Sequence, residues 1–302
     1  MNYKIFFIFL VITISCKRDF SSQSSPTTGE VEIFVDSNLR AIMDQQKEVF
    51  ERNYPYAKVN LIYLDEINII KKFLYDSTEI IILSRALDSV EINFLNHKKL
   101  VPRHYELART AIAFVSNKSS ADSTYSFESI SQIAMDSLKV GNLLVIENAN
   151  SGISQYLLKK FNGDKFSKNV FAAENKDKII EHLNQSPSSI ACFDWSEISD
   201  SDDPKAKEIL SKVRLLAISR PKDSIQHGFI FPFQYNLQDN LYPFCRDIYF
   251  ISRSGKSDLG LGFASFVAGE IGQKIMLKAG LLPKYQSERL IELKNKDFKV
   301  IK

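Results

Sequence analysis

The stretch Leu241–Pro283, LYPFCRDIYFISRSGKSDLGLGFASFVAGEIGQKIMLKAGLLP, decides the fold more than any other. It reads as a strand, a polar turn and a long amphipathic helix. The helix sets Ala264, Val267, Ile271 and Ile275 on one face at 3.6-residue spacing. Gly280 stops it and Pro283 lies just beyond, the usual order of C-terminal signals. On residues alone this is a core helix with a clean end, fed by a strand.

Working outward, the chain upstream alternates strand and helix. Val31–Val35 reads as a strand, and Asp36 or Ser37 can cap a helix carrying Leu39, Ile42, Met43, Val49 and Phe50. Val59–Leu64 and Glu79–Leu83 follow as strands, with helices near Glu66–Tyr75 and Ser89–Asn96. Glu106–Val115 is a long strand leaving this unit. A second unit holds helix Phe127–Met135, strand Leu143–Ile146, helices Gly152–Phe161 and Lys176–Asn184, then strands Ser189–Phe193 and Val213–Ile218. The chain returns through Phe229–Tyr235. Strands separated by helices imply an α/β fold with mostly parallel sheets flanked by helices. Two such units crossed twice by the chain give two lobes joined by a hinge. The expected division is 1–15 as a signal peptide, 16–29 as a tether, 30–115 as the first part of lobe I, 116–228 as lobe II, and 229–302 as return crossover and remainder of lobe I.

The 302 residues are 44% hydrophobic and 25% charged, enough to bury a substantial core. A net charge of +3, with both signs interspersed, gives no case for nucleic acid. Met1–Lys4 carries one positive charge and Ile5–Ile14 is nearly all apolar, too short to span a bilayer but suited to a secretory signal. Ser15-Cys16 then looks like a bacterial lipobox, with Thr13 where leucine is usual. It predicts a lipid on Cys16 and an extracytoplasmic, periplasmic, membrane-anchored product, against the blander alternative of a plain signal peptide. Lys17–Gly29, rich in Ser and Thr, reads as a flexible tether. Cys192 and Cys245 fall in different expected lobes and read as two free thiols, although an exported protein could pair them. No metal-ligand spacing joins His97, His104, His182, His227 and the cysteines.

Three loops follow expected strands and open helices, where free N–H groups and the helix dipole favour an anion. They are Asp36-Ser37-Asn38-Leu39, Ser84-Arg85-Ala86-Leu87 and Asn150-Ser151-Gly152-Ile153. A hydroxyl donates, a glycine lets backbone approach, and Arg85 can add a bidentate contact. Each loop also has a plain reading: Ser37 and Ser151 as ordinary N-caps, Arg85 as a solvated loop residue. In open α/β sheets such loops gather at the strand C-termini, so in a two-lobed chain they face one cleft.

The closing block, with Tyr242, Pro243, Arg246, Tyr249, Phe263, Phe266, Gly272, Ile275, Gly280, Leu281 and Pro283, resembles that of type II periplasmic solute-binding proteins. The likeness is greatest to phosphate-binding lipoproteins of ABC transporters, and it runs in order over nearly the whole mature chain. It implies a monomeric receptor that takes phosphate or a similar oxyanion, with no cofactor, and delivers it to an ABC permease. In that family a small polar residue and its following amides stand after the first strand, matching Ser37, Asn38 and Leu39. Ser-Asp-x-x-Leu stands after the third, matching Ser84, Arg85 and Leu87. Arg-x-x-x-Ser-Gly-Thr opens a second-lobe helix, matching Glu147, Ser151, Gly152 and Ile153. The departures fall on charge: the family aspartate is Arg85 here and its arginine is Glu147. One cation and one carboxylate thus remain near the cleft, free to read a protonated anion or to pair with each other when it is empty.

Hydrolase signatures of the H-E-x-x-H, G-x-S-x-G and phosphate-loop kinds do not occur in the sequence. Ser219-Arg220-Pro221-Lys222 and Lys278-Ala279-Gly280 match fragments of a serine-hydrolase pattern without its middle element, so the chain reads as a non-enzyme. Trp195 reads as core or hinge packing with a cleft alternative, and Arg246 as a structural residue that could reach the hinge or form an ion pair within its lobe. A sensory or interaction lipoprotein that kept the fold without feeding a transporter is the other class left open.

Overall fold

The structure, a computed structural model, describes residues 24–136 and 142–285. The expected signal peptide and Cys16 lie outside them. In chain order the first lobe contains β1 (Gly29–Asp36), α1 (Arg40–Asn53), β2 (Ala57–Leu64), α2 (Glu66–Tyr75), β3 (Ile80–Leu83), α3 (Ser89–His97) and the start of β4 (Arg103–Asn117). The second holds β5 (Thr124–Tyr125), α4 (Phe127–Met135), β6 (Leu144–Ile146), α5 (Gly152–Lys160), β7 (Val170–Ala172), α6 (Lys176–Gln185), β8 (Ile190–Asp194), α7 (Pro204–Lys212), β9 (Val213–Leu215) and β10 (Ala217–Ser219). The chain returns through β11 (Phe229–Ile230) and α8 (Gln234–Gln238). It ends with β12 (Cys245–Ser252), α9 (Leu259–Ala268), α10 (Glu270–Lys278) and β13 (Leu282–Pro283).

The expected two-lobed α/β architecture is present. β1 pairs in parallel with β2 and β3, and β6 in parallel with β7 and β8. β4 joins the two halves. Its Arg103–Ala111 segment pairs antiparallel with β12, and Ile112–Ser116 pairs antiparallel with β8. One strand therefore belongs to both lobes, and the return crossover lies against it: Ile112 N donates to Phe244 O at 2.9 Å, and Tyr242 Oη donates to Ile112 O at 2.8 Å. Alternation along the first-lobe strands buries both sheet faces. Ile33, Val35, Ile80 and Ile82 enter one core, whereas Phe34, Ile81 and Leu83 enter a second core with Ile69, Phe73 and Leu95 of the helices.

Three local expectations need correcting. The single long helix is two, because Gly269 is extended (φ −80°, ψ 175°) and breaks it. Ala264 and Val267 remain buried, but the break rotates the register and leaves Ile271 exposed. Gly280 does stop the second helix, in the left-handed region at φ +80° that glycine adopts without strain. The strand expected over Val213–Ile218 is β9 and β10, which pair in different sheets. The tether expected to reach Gly29 is already packed by Ser24: Ser24 Oγ accepts from Leu259 N at 3.2 Å, and Pro26 lies so close to Gly262 that any β-carbon there would strike its carbonyl. Cys192 and Cys245 are both free thiols.

Candidate ligand-binding site

The lobes meet where α2 of the first faces α5 of the second. Ile67 N donates across the boundary to Asn150 O at 3.4 Å. Beside this contact lies a cavity of about 640 Å³, walled by α5 on one side and by the Ser84–Asp88 loop and β12 on the other.

Two strand-end carboxylates lie buried beneath its lining residue Arg246. Each apolar strand can carry a carboxylate at its C-terminus only if something offsets the burial. Asp36 ends β1, is fully buried, and caps the turn Ser37–Leu39 by accepting from Asn38 N at 3.3 Å. Asp194 ends β8, is fully buried, and accepts from Thr110 Oγ1 at 2.8 Å and Ser196 N at 2.9 Å. Between them stands Arg246 of β12, 3% exposed, which donates through Nη2 to Asp194 Oδ2. Its Nε and Nη1 find no partner among the described residues, although the side chain lines the cavity. Burial pushes the Asp36 carboxyl up to about 7; Arg246 opposes this and the Glu66 charge adds to it. Burial also disfavours the Arg246 cation, yet Asp194, Asp36 and Glu66 together hold its pKa above the ordinary value.

Arg85 occupies the rim with its donors engaged. Nε donates to Glu66 Oε1 at 2.7 Å, Nη1 and Nη2 to Glu91 at 2.8 Å each, and Nη1 also to Ala86 O at 2.9 Å. Across the cleft α5 begins at Gly152, and a β-carbon there would overlap Asp36 Oδ2 and stand 2.9 Å from Glu66 Oε2. Two first-lobe carboxylates are therefore seated at the N-terminus of a second-lobe helix, where a carboxylate is electrostatically favoured.

Of the residues singled out from sequence, Ser84, Arg85 and Gly152 line the cavity. Ser84 Oγ donates to Asp36 Oδ2 at a long 3.5 Å. Ser37 is half-buried and Asn38 buried in the turn after β1. Leu39 and Ile153 are core side chains, so only their backbone is available to a ligand. Ser151 caps α5, accepting from Ser154 N at 3.3 Å and donating to Asn148 O at 2.8 Å. Glu147 does not pair with Arg85; its charge acts instead on Lys176 and Glu197 behind β8. Glu66 and Arg246 also line the cavity, with Asp36 buried near Arg246 beneath it, and none of these three side chains is read as a ligand from sequence. The available signal was a charged residue embedded in an otherwise apolar strand, which must find partners when buried. Trp195 packs as expected, donating through Nε1 to Gly280 O at 3.1 Å.

With this geometry in place, the chain can be compared with known proteins. The model of the PBP superfamily domain matches residues 21–270, and the chain belongs to that superfamily. Its fold is that of the type II periplasmic binding proteins. A Clostridium perfringens protein, a candidate phosphate ABC transporter substrate-binding protein solved with bound phosphate, superposes with a TM-score of 0.68 at 16% identity, covering 85% of this chain and all (100%) of that one. An ABC-type phosphate transport receptor from Vibrio cholerae gives 0.62 at 15% identity over 84% of this chain and 99% of that one. PstS from Borrelia burgdorferi gives 0.53 at 16% identity over 84% and 98%. At these identities the likeness is one of fold. No curated protein matches the chain in sequence. Among the described residues no helix is long and apolar enough to cross a membrane, and no cluster of His, Cys, Asp and Glu suits a metal ion.

Proposed function

We propose that this chain is an extracytoplasmic solute receptor that captures an inorganic oxyanion, phosphate foremost, for an ABC permease. A lipid on Cys16 holds it at the membrane, and binding is non-covalent, with no enzymatic step. The observation that carries the reading is Arg246: a buried guanidinium in the interlobe cleft whose Nε and Nη1 are unpaired among the described residues, next to a helix N-terminus. Buried unpaired donors are costly, and an oxyanion offers the matching acceptors. Asp36 adds selectivity. A carboxylate accepts a proton from hydrogen phosphate, whereas fully ionised sulfate would face it as an uncompensated repulsion. The phosphate bound in the Clostridium perfringens structure points the same way.

Ser37, Asn38, Leu39, Ser84 and the Ser151–Ile153 turn enter this proposal as backbone and hydroxyl donors, and Arg85 as the group that holds Glu66. A second reading, a sensory lipoprotein or a receptor for another small anion, draws on the carboxylates Asp36 and Glu66 lying against Gly152. Isothermal titration of residues 24–302, stripped of bound anion by partial unfolding, separates the two. Saturable phosphate binding without sulfate binding is the expected result. Silence toward both anions overturns the phosphate reading and favours the second.

A further inference from the structure

We infer that the cleft is built for a phosphate monoester with a short hydroxylated body, rather than for bare orthophosphate. This rests on the oxyanion reading above and names its substrate class. The first argument is size. A water molecule takes about 30 Å³ of liquid volume, and an orthophosphate of five heavy atoms fills the space of only a few waters. The cavity holds about 640 Å³, inside the range of roughly 300–1,000 Å³ common for organic ligands. An open cleft would explain excess volume, but this cleft is already shut at its inner end. Ile67 and Asn150 are hydrogen-bonded across it, and Gly152 lies against Asp36 and Glu66 so tightly that further approach is blocked there.

The second argument is shape and chemistry. One wall is α5, which presents Gly152, Gln155, Tyr156 and Lys159 to the cavity at the spacing of a single helix face. From Gly152 to Lys159 the helix rises about 10 Å, well beyond the reach of one phosphate group seated at Arg246. The opposing wall carries Ala86, Asp88 and Tyr249. These groups give amide, phenol, ammonium and carboxylate partners set beside the apolar surfaces of Ala86, Leu158 and the two tyrosine rings, a mixed lining that matches a short body carrying hydroxyl groups on carbon. An ester would place its phosphoryl oxygens on Arg246 and Ser84, which share the cavity wall, and its hydroxyls along α5 toward Lys159.

The test is isothermal titration of residues 24–302 with orthophosphate, glycerol 3-phosphate and glucose 6-phosphate, with glucose as the anion-free control. The expected result is at least tenfold tighter binding of one ester than of orthophosphate. Ala86→Trp, which fills the first-lobe wall, and Lys159→Glu, at the mouth, are each expected to shrink that ratio by fivefold or more. Orthophosphate binding with both esters weaker overturns this inference and leaves the oxyanion receptor standing. An ester advantage that neither variant moves overturns the assignment of this cavity to the ester body. No binding of any of the three phosphates overturns the oxyanion reading itself, and this inference with it.

Discussion

Two arginines line the same cleft and differ in how far their charge is committed. Arg85, on the rim, gives Nε to Glu66 and both Nη atoms to Glu91, so its fork is closed by the protein. Arg246, on the floor, gives Nη2 to Asp194 and leaves Nε and Nη1 unpaired among the described residues. The contrast separates an arginine that organises carboxylates from one that can recognise an anion. Exposure ranks them the opposite way, since Arg85 is the more accessible: its side chain is 30% exposed and that of Arg246 is 1%. In a closing cleft the committed group stands at the surface and the uncommitted one beneath it.

Replacing Arg246 breaks the comparison most severely. Arg246→Ala leaves Asp194 and Asp36 buried without their cation, and removing one partner of a buried pair costs about 3–5 kcal/mol. Denaturant unfolding is expected to show that loss, and phosphate binding to vanish. Arg246→Lys separates folding from recognition: it keeps the charge but loses the planar fork. It is expected to fold and to bind phosphate about a hundredfold more weakly by titration calorimetry. Wild-type affinity in Arg246→Lys would remove the guanidinium from the site.

Next in size is Gly152→Ala. Its methyl group would occupy the position of Asp36 Oδ2, so the lobes could not meet as they do here. Anion affinity should fall at least tenfold while the thermal midpoint changes little, because the clash lies between lobes rather than within one. Small-angle scattering should report a larger radius for the variant than for the wild type. An unchanged radius would show that Asp36 swings aside at little expense.

Much of the frame was legible because strand and helix periodicity is local. The alternation from Val31 to Leu83 and the stop at Gly280 follow from apolar spacing and one backbone conformation. The break at Gly269 was not legible: a glycine inside an apolar helical pattern is tolerated as often as it ends a helix, and packing decides. The site divided along the same line. Ser84, Arg85 and Gly152 were found because strand-to-helix loops gather at one cleft. Arg246 and Glu66 were missed because their role depends on partners far along the chain, Asp194 and Arg85 respectively. The swap of charge at Arg85 and Glu147 drew attention to those two positions. The carboxylates that meet the start of α5 are instead Asp36 and Glu66, which sequence spacing placed at a strand end and a helix start.

Arg85→Ala is expected to act more mildly. It frees Glu66 and Glu91, and the additional negative charge beside Arg246 should weaken phosphate binding by about tenfold or less. Loss comparable to that of Arg246→Lys would mean that Arg85 leaves its carboxylates and reaches the ligand.

The smallest effect tests Asp36 through pH. Its folded pKa of about 7 stands above the ordinary aspartate value. Between the two values the folded state holds a proton that the unfolded chain has released, so this carboxyl's contribution to stability is full at low pH and is lost as pH rises through about 4 to 7. Asp36→Asn removes that term. Its thermal midpoint is expected to exceed the wild-type value by a few degrees at pH 8, with the two curves converging as pH falls toward 4. Phosphate affinity supplies the complementary reading, because ionised Asp36 is the acceptor for the ligand's proton: the variant should discriminate less between phosphate and sulfate at pH 8. Parallel thermal curves would mean that Arg246 keeps Asp36 ionised throughout, and the floor of the cleft would then be a permanent ion triad rather than a proton-reading one.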